Sequence, residues 1–571
     1  MKLQGRKLMD VLEHQVSGRW ERDDRVRVYV RPKRIVWMSE GEGVSVENPQ
    51  SLLEEKSGQI TLDAGNACVL RNHGGKAGIL LDFGVELQGG IQILAWNNGQ
   101  ENRTARLRVR FGESVMEAMS EIGDEKNATN DHAIRDQLVD ISFLGMTEVG
   151  NSGFRFVRID LMDENSFIEL KSVRAVFIYK DIEYKGSFRC NDELLNRIWD
   201  TGAYTVHLNM QNYLWDGIKR DRLVWIGDMH PETSTIQAVF GDDDVVPRSL
   251  DLVRDETPLP GWMNGFPAYS MWWVLIHYRW FMQNGDIDYL KEQRGYLIGL
   301  INFLSEFIQE DGRDTIQNRF IDWPSSGDKK AGEAGVHALF VLAMDAAAAM
   351  LEVMGEKEMA LKCRENGKKL RRYIPDHGGN KQAASLMVLA GLLDPENTNR
   401  DVLAVGGARG ISTFLGYYVL KARAKAGDIK GCLDSIREYW GGMLSLGATT
   451  FWEDFNLEWM ENASGIDEIV PEGKKDIHGD FGDYCYKGFR HSLCHGWASG
   501  PTPWLSEYVL GIRVLEPGCR VIRIAPNLGD LECAEGTYPT PQGIIHVRHE
   551  KGEDGRIVSS IHAPEGIQIL K

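Results

Sequence analysis

The sequence predicts segregated domains in the order β, α, β: an N-terminal β-sandwich over residues 1–187, a helical barrel over 188–512 and a small C-terminal β-sandwich over 513–571. Three observations predict it. The chain has 571 residues, enough for three to four domains at roughly 150 residues each, or fewer if one is a large helical barrel. Short stretches alternate apolar and polar residues with period two up to about Tyr184, and the same pattern returns after Leu515. Between them, apolar residues recur at three- and four-residue spacing, the period of a helix buried on one face.

In chain order, VRVYV (26–30), GIQILAW (90–96), LRVRF (107–111) and FRFVRIDL (154–161) read as antiparallel strands punctuated by Gly and Asn. The acidic stretch from Glu113 to Asp136 breaks the alternation and reads as a long loop carrying a short helix. The segment DELLNRIWDTGAYTVHLNMQNYL (192–214) is helical behind a cap at Asn191 or Asp192. Further helices are expected over 231–240, 268–284, 287–310, 333–354, 356–373, 381–392, 412–425, 428–440 and 492–511, joined by loops rich in Gly, Asp and Pro. No fixed repeat period appears, which favours a barrel of paired helices over a regular solenoid. RVIRIAP, GIIHVRHE and IVSSIHA then supply the strands of the last domain.

Hydrophobic residues make up 43% and charged residues 26%, the proportions of a soluble globular chain. Asp and Glu number 83 against 65 Lys and Arg, and the net charge of −18 repels phosphate backbones and anionic lipid. Nucleic acid and membrane surfaces are therefore not expected as partners; a homodimer is left open. The opening MKLQGRKLMDVLEHQVSGRW interrupts every apolar stretch with polar residues, so a cytoplasmic location is expected. The 8 cysteines contain no C-x-x-C, and the spacing of Cys485, Cys494 and His495 fits no common metal site. Neither a metal nor an organic cofactor is expected.

Thirteen of the 16 Trp lie in the helical region. Core packing explains those on helical stripes, such as Trp199, Trp280 and Trp440. Others adjoin acids: Trp215-Asp216, Trp225 before Gly227-Asp228, Asp322-Trp323 and Trp452-Glu453-Asp454. Rings beside carboxylates suit a sugar cleft, because pyranose C–H faces stack on rings while hydroxyls bond to acids. WDGIKRDRLVWIGDMHPE (215–232) is the densest such cluster, and GATTFWEDF (447–455) is a second, far downstream. The bland reading of the first is a solvated loop with ion pairs and Asp228 as a helix cap; of the second, an exposed acid beginning a helix. Two carboxyls brought together from distant points are the equipment of glycoside hydrolysis, one protonating the leaving oxygen and the other activating water. His495, placed at the start of the last helix, could donate to a sugar hydroxyl. Phosphate-loop, zinc-protease, serine-hydrolase and dinucleotide motifs are missing from the sequence.

On DGIKRDRLVWIGD (216–228), Asp322-Trp323, GATTFWE (447–453) and the His495 segment, the chain resembles the bacterial α-L-rhamnosidases of glycoside hydrolase family 78 from about residue 90 onward. The resemblance implies an (α/α)6 barrel flanked by β-domains, an inverting mechanism and a rhamnose-containing oligosaccharide or glycoside as substrate. It implies Glu453 as the general base, Asp221 as the general acid with Asp228 as second candidate, and Asp216, Arg220, Trp225, Trp323, Trp452 and His495 as substrate-binding residues. The chain departs from a common family form, Arg-Asp-Glu-Arg: it reads Arg220-Asp221-Arg222, one residue shorter and without the Glu. For Asp221 to be protonated near neutral pH, Arg220 and Arg222 must point elsewhere.

Two other readings stand beside this one. A different helical-barrel glycosidase would act on another deoxy or uronic sugar, and apolar contact at the sugar's C6 would discriminate against it. A catalytically degenerate saccharide binder is favoured by the missing Glu and opposed by the intact Glu453 segment.

Overall fold

A computed structural model describes residues 23–63, 65–99 and 104–571. The polar opening segment, residues 1–20, on which the cytoplasmic expectation rests lies outside the described residues.

The N-terminal strands form one nine-stranded sheet built by antiparallel pairing. Its centre is two long strands, Gly78–Asn97 and Gly145–Leu161, flanked by Phe167–Tyr179 and Thr104–Gly112. Length lets the chain bend over an apolar core that includes Leu81, Ile93, Phe111, Phe154 and Ile159. Gly89, at φ 140°, marks one bend: a Cβ there would meet the Val176 carbonyl oxygen at 2.0 Å. The expected loop after Glu113 does carry a helix, Val115–Met119, whose first turn is capped by Ser114 Oγ accepting from the Glu117 amide at 3.1 Å.

Helices follow from Glu193–Asn209, capped by Asp192 through the amides of Leu194 and Leu195. They continue through Met229–Val239, Val245–Glu256, Pro267–Asn284, Lys329–Val353, Lys357–Leu370, Lys381–Leu389, Gly416–Lys425 and Ile429–Ser445, sharing one core with the C-terminal strands. By length and composition Lys329–Val353 could cross a membrane, yet 83% of its most apolar window is buried within the fold, as a central helix requires.

Three expectations differ from the structure. The helix expected over 287–310 is two, Ile287–Glu292 and Arg294–Ser305. The helix expected over 492–511 is only partly formed: His495 is extended, a tight turn follows at Gly496–Ser499, and helix runs on through Pro501–Trp504 and Leu505–Val509. Pro501 and Pro503 lack the amide protons a helix needs, and the His495 amide donates instead to the Phe451 carbonyl at 2.9 Å. The boundary expected at 187/188 falls inside strand Ser187–Cys190, which pairs with Cys533–Thr540 and so belongs to the C-terminal four-stranded sheet. A smaller three-stranded sheet, beginning at Ile512, completes that end of the molecule.

Candidate active site

A pocket of about 190 Å³ opens where the 215–228 loop, the 451–455 segment and the 485–497 segment converge. Asp216, Asp221, Asp228, Glu453, Arg220, Trp225, Trp323 and His495 all line it. Residues remote in sequence are stitched together by backbone bonds: Gly217 pairs with His495, the Gly496 amide donates to the Asp216 carbonyl at 2.9 Å, and the Glu453 amide donates to the Ser492 carbonyl at 3.0 Å. The 215–228 loop also closes on itself, with the Asp216 amide on the Leu223 carbonyl at 3.1 Å and the Leu223 amide on Asp216 Oδ1 at 3.0 Å. Gly227 leaves room for the Tyr269 ring, whose Cε1 would lie 2.4 Å from an added Cβ.

At the tip of this loop Asp221 and Arg222 hold φ of 56° and 58°, left-handed conformations that cost non-glycine residues of order 1–3 kcal/mol each. The surroundings hold them there. Arg222 turns away from the pocket, donating to the Asn151 carbonyl at 2.8 Å and stacking over Trp215, 4.6 Å from the ring centre. Asp221 accepts from Arg220 at 2.9 Å and from the Trp225 indole at 3.1 Å. One of the two arginines thus points elsewhere, as expected, and the other does not. Arg220 is paired with Asp221 because its guanidinium bridges two carboxylates: its other arm donates to Glu453.

Glu453 is buried, which pushes its pKa up, but the Arg220 guanidinium and nearby His495 hold it down at about 2. Its second oxygen accepts from the Ser492 amide at 3.2 Å. Asp228 behaves oppositely. Burial raises its pKa in spite of His495, whose Nε2 lies 3.0 Å from Asp228 Oδ2, and Tyr269 donates to its other oxygen at 3.4 Å. Asp228 sits at the start of helix Met229–Val239 without making a side-chain cap, so the bland reading of it as a cap does not hold. Burial also pushes Asp216 well up, reinforced by the charges of Asp221 and Asp228. His495 is driven down by burial and, more strongly in sum, up by the surrounding carboxylates, so its pKa is raised.

Trp452 is the exception among the expected residues: it does not line the pocket. It is 1% exposed and packs edge-on against Phe455 at 5.6 Å. Glu453 turns into the pocket at a bend of the chain while its neighbour Trp452 is buried in the core. Residues not expected line the pocket instead. Phe266 and Phe320 pack with centroids 4.7 Å apart, and Tyr269, Cys485, Tyr486, Arg490 and Trp497 complete the wall. The DYCYKGFR stretch (483–490), with aromatics and a base beside an acid, carried the signal that had marked the other two loops. Asp322 lies behind the wall, its oxygens taken by the Ser325 amide at 2.9 Å and the Ser412 hydroxyl at 2.8 Å. Cys485 lines the pocket and Cys494 does not, and among the described residues the one cluster with metal-ligand spacing is Glu113, Glu117 and His478, outside this pocket.

Residues 183–393 match the family described as bacterial alpha-L-rhamnosidase 6 hairpin glycosidase domain, and residues 511–569 match the bacterial alpha-L-rhamnosidase C-terminal domain. An alpha-L-rhamnosidase of Formosa agariphila is 23% identical over 443 residues, covering 69% of this chain and 44% of the relative. One from an Alteromonas species is 22% identical over 452 residues, covering 71% and 47%. The chain thus spans less than half the length of these curated relatives. Among solved structures, the GH78 family rhamnosidase of Bacillus sp. GL1 superposes with TM-score 0.72 at 22% identity, covering 91% of this chain and 55% of that one. The rhamnosidase from Klebsiella oxytoca with rhamnose bound gives TM-score 0.64 at 17% identity, covering 85% and 96%. Residues 183–393 and 511–569 thus match the six-hairpin and C-terminal domains described for bacterial alpha-L-rhamnosidases, and the fold is similar to that of solved rhamnosidases.

Proposed function

We propose that the protein hydrolyses terminal α-L-rhamnosides with inversion, from a pocket at the mouth of an (α/α)6 barrel flanked by an N-terminal β-sandwich and a C-terminal β-domain. The observation that carries this is the electrostatic split within one small pocket: Glu453 held down at about 2, and Asp216 and Asp228 pushed up by burial. A Glu453 held ionised is suited to the base of acid–base catalysis, and the raised Asp228 to the second candidate for the acid.

Glu453, ionised at any working pH, orients a water for attack on the anomeric carbon. Asp221, on the loop tip and less buried than Asp216 or Asp228, protonates the leaving oxygen, which departs toward solvent. Before it can do so, Arg220 must release Asp221 and keep its bond to Glu453 alone, which leaves the Asp221 carboxyl to the leaving oxygen. Asp221 and Glu453 face the same Arg220 guanidinium, and inversion calls for about 6.5–9.5 Å between the two carboxyls, room for the attacking water. Asp216, Asp228 and His495 bind sugar hydroxyls. The wall of Phe266, Tyr269, Phe320, Trp323 and Trp497 offers the apolar contact that a C6 methyl needs and a hydroxymethyl or carboxylate would not gain from. A second assignment, Asp228 as the acid, is favoured by its raised pKa. We further propose a rhamnose-containing oligosaccharide or glycoside as substrate and a cytoplasmic location.

The test is to incubate the protein with an aryl α-L-rhamnoside and follow the anomeric protons by NMR. Release of β-L-rhamnose first, abolished in Glu453→Gln, is expected; release of the α anomer first would overturn inversion. Asp221→Asn and Asp228→Asn are then compared on substrates with good and poor leaving groups. The true acid is the one whose loss is largely restored by a leaving group that needs no proton.

A further inference from the structure

The N-terminal domain reaches the back of the pocket. Gly153 of strand Gly145–Leu161 donates to the Ile218 carbonyl at 2.9 Å, so close that a Cβ would meet the Lys219 nitrogen at 2.9 Å. Arg155 of the same strand donates to the Gly447 carbonyl at 3.0 Å. Helix Val115–Met119 docks beside them, with the Val115 amide on the Ile466 carbonyl at 2.8 Å and Ser114 Oγ 2.7 Å from His478 Nδ1.

Two acids at the head of that helix grip the site from behind. Glu113 Oε2 accepts the Leu493 amide at 2.6 Å and lies 3.0 Å from Lys219 Nζ. Glu117 lies 3.3 Å from the same ammonium and accepts the Glu113 amide at 2.8 Å. Lys219 Nζ also donates to the carbonyls of Phe489 and His491, at 2.8 and 2.5 Å. All three side chains are buried. Lys219 immediately precedes Arg220, whose guanidinium holds Glu453, and Leu493 immediately follows Ser492, whose amide holds the other oxygen of Glu453. A single carboxylate oxygen therefore joins the two chain segments that hold Glu453. The cluster of Glu113, Glu117 and His478 has metal-ligand spacing, but Lys219 already supplies the cation between its two acids.

We propose that Glu113, from the N-terminal domain, is a positioning residue of the hydrolytic site: through Lys219 and Leu493 it sets Arg220 and Glu453 face to face. The proposal rests on the rhamnosidase reading for its kinetic test and on geometry alone for its structural one. Glu113→Gln keeps the size and an oxygen acceptor but loses the charge opposite Lys219; Lys219→Arg keeps the charge but changes its reach. In each, kcat on an aryl rhamnoside should fall about tenfold or more while KM changes less than threefold and the melting temperature stays within a few degrees. The double variant should be no worse than the poorer single, because both act on one contact.

Crystal structures of the same variants provide a reading that needs no activity. The Arg220–Glu453 pair should be displaced or broken. Folded variants that retain the pair and the wild-type kcat, or single losses that multiply in the double variant, overturn the proposal. If the wild-type protein hydrolyses no rhamnoside, the substrate reading fails by itself, and the position of Arg220 in the variant crystals still decides the positioning role. Should Glu113→Gln not fold, Lys219→Arg carries both measurements.

Discussion

His495 Nε2 lies 3.0 Å from Asp228 Oδ2, with both side chains almost fully buried at the base of an acidic pocket. The imidazole is the principal hydrogen-bond donor opposing the burial of Asp228, and its own pKa is raised because carboxylates surround it. Replacing it by alanine should push Asp228 further up and loosen the end of the pocket proposed to bind sugar hydroxyls. His495→Ala should lose 10²–10³-fold in kcat/KM, about 3–4 kcal/mol of transition-state binding. His495→Gln should recover part of it. Steady-state kinetics on an aryl rhamnoside check this, and an unchanged KM in the alanine variant would remove His495 from substrate binding.

Glu453 gives a stability prediction with a definite sign. Its folded-state pKa, about 2, is below the unfolded value near 4.5, so the stabilisation is present above about pH 4.5 and is lost as pH falls toward 2. The full effect is on the order of 3 kcal/mol by linkage. Glu453→Gln should flatten the acid limb of the stability curve across that window. Chemical denaturation at pH 2.5, 3.5, 4.5 and 6 measures it. The same depression means that an acid limb of kcat/KM near pH 5 reports another group.

Asp216 leads to the opposite expectation. Burial raises its pKa well above the usual range, so its ionised form destabilises the fold as pH rises. Asp216→Asn preserves an oxygen for the Leu223 amide and removes the charge. It should raise the melting temperature by a few degrees at pH 8, with less gain at pH 5, while activity falls at least a hundredfold. A melting temperature that drops at pH 8 would show that the carboxylate is needed for the loop itself.

The two Trp-acid pairs should separate by experiment. Trp323 lines the pocket and packs edge-on with Phe320 at 5.2 Å, so Trp323→Ala should raise KM five- to fiftyfold, with a smaller effect on stability. Trp452 is core. Trp452→Ala should cost about 3–5 kcal/mol of stability, whereas Trp452→Phe, if folded, should leave KM near wild type. Thermal melts beside Michaelis–Menten curves distinguish the pair.

Strand alternation, helix periodicity and the Asp192 cap depend on residues a few positions apart, and those elements are legible in the sequence by itself. So are the two acid–aromatic loops, because their residue types are costly to bury without a partner and conspicuous when they cluster. Tertiary structure decided what depends on distant partners. Ser187–Cys190 is a strand because Cys533–Thr540 lies beside it, and the start of the 492–511 segment forgoes a helix to pair His495 with Phe451 and Gly217. Local periodicity does not encode which side chain of a loop faces the pocket, so Trp452 and Glu453 were distinguished only once the chain was folded. The charge states of the pocket arise in the same way. Arg220 holds Glu453 ionised across 233 positions of sequence, and Glu113 reaches Leu493 across 380, because electrostatic and hydrogen-bond energies depend on distance in space, which spacing along the chain does not set.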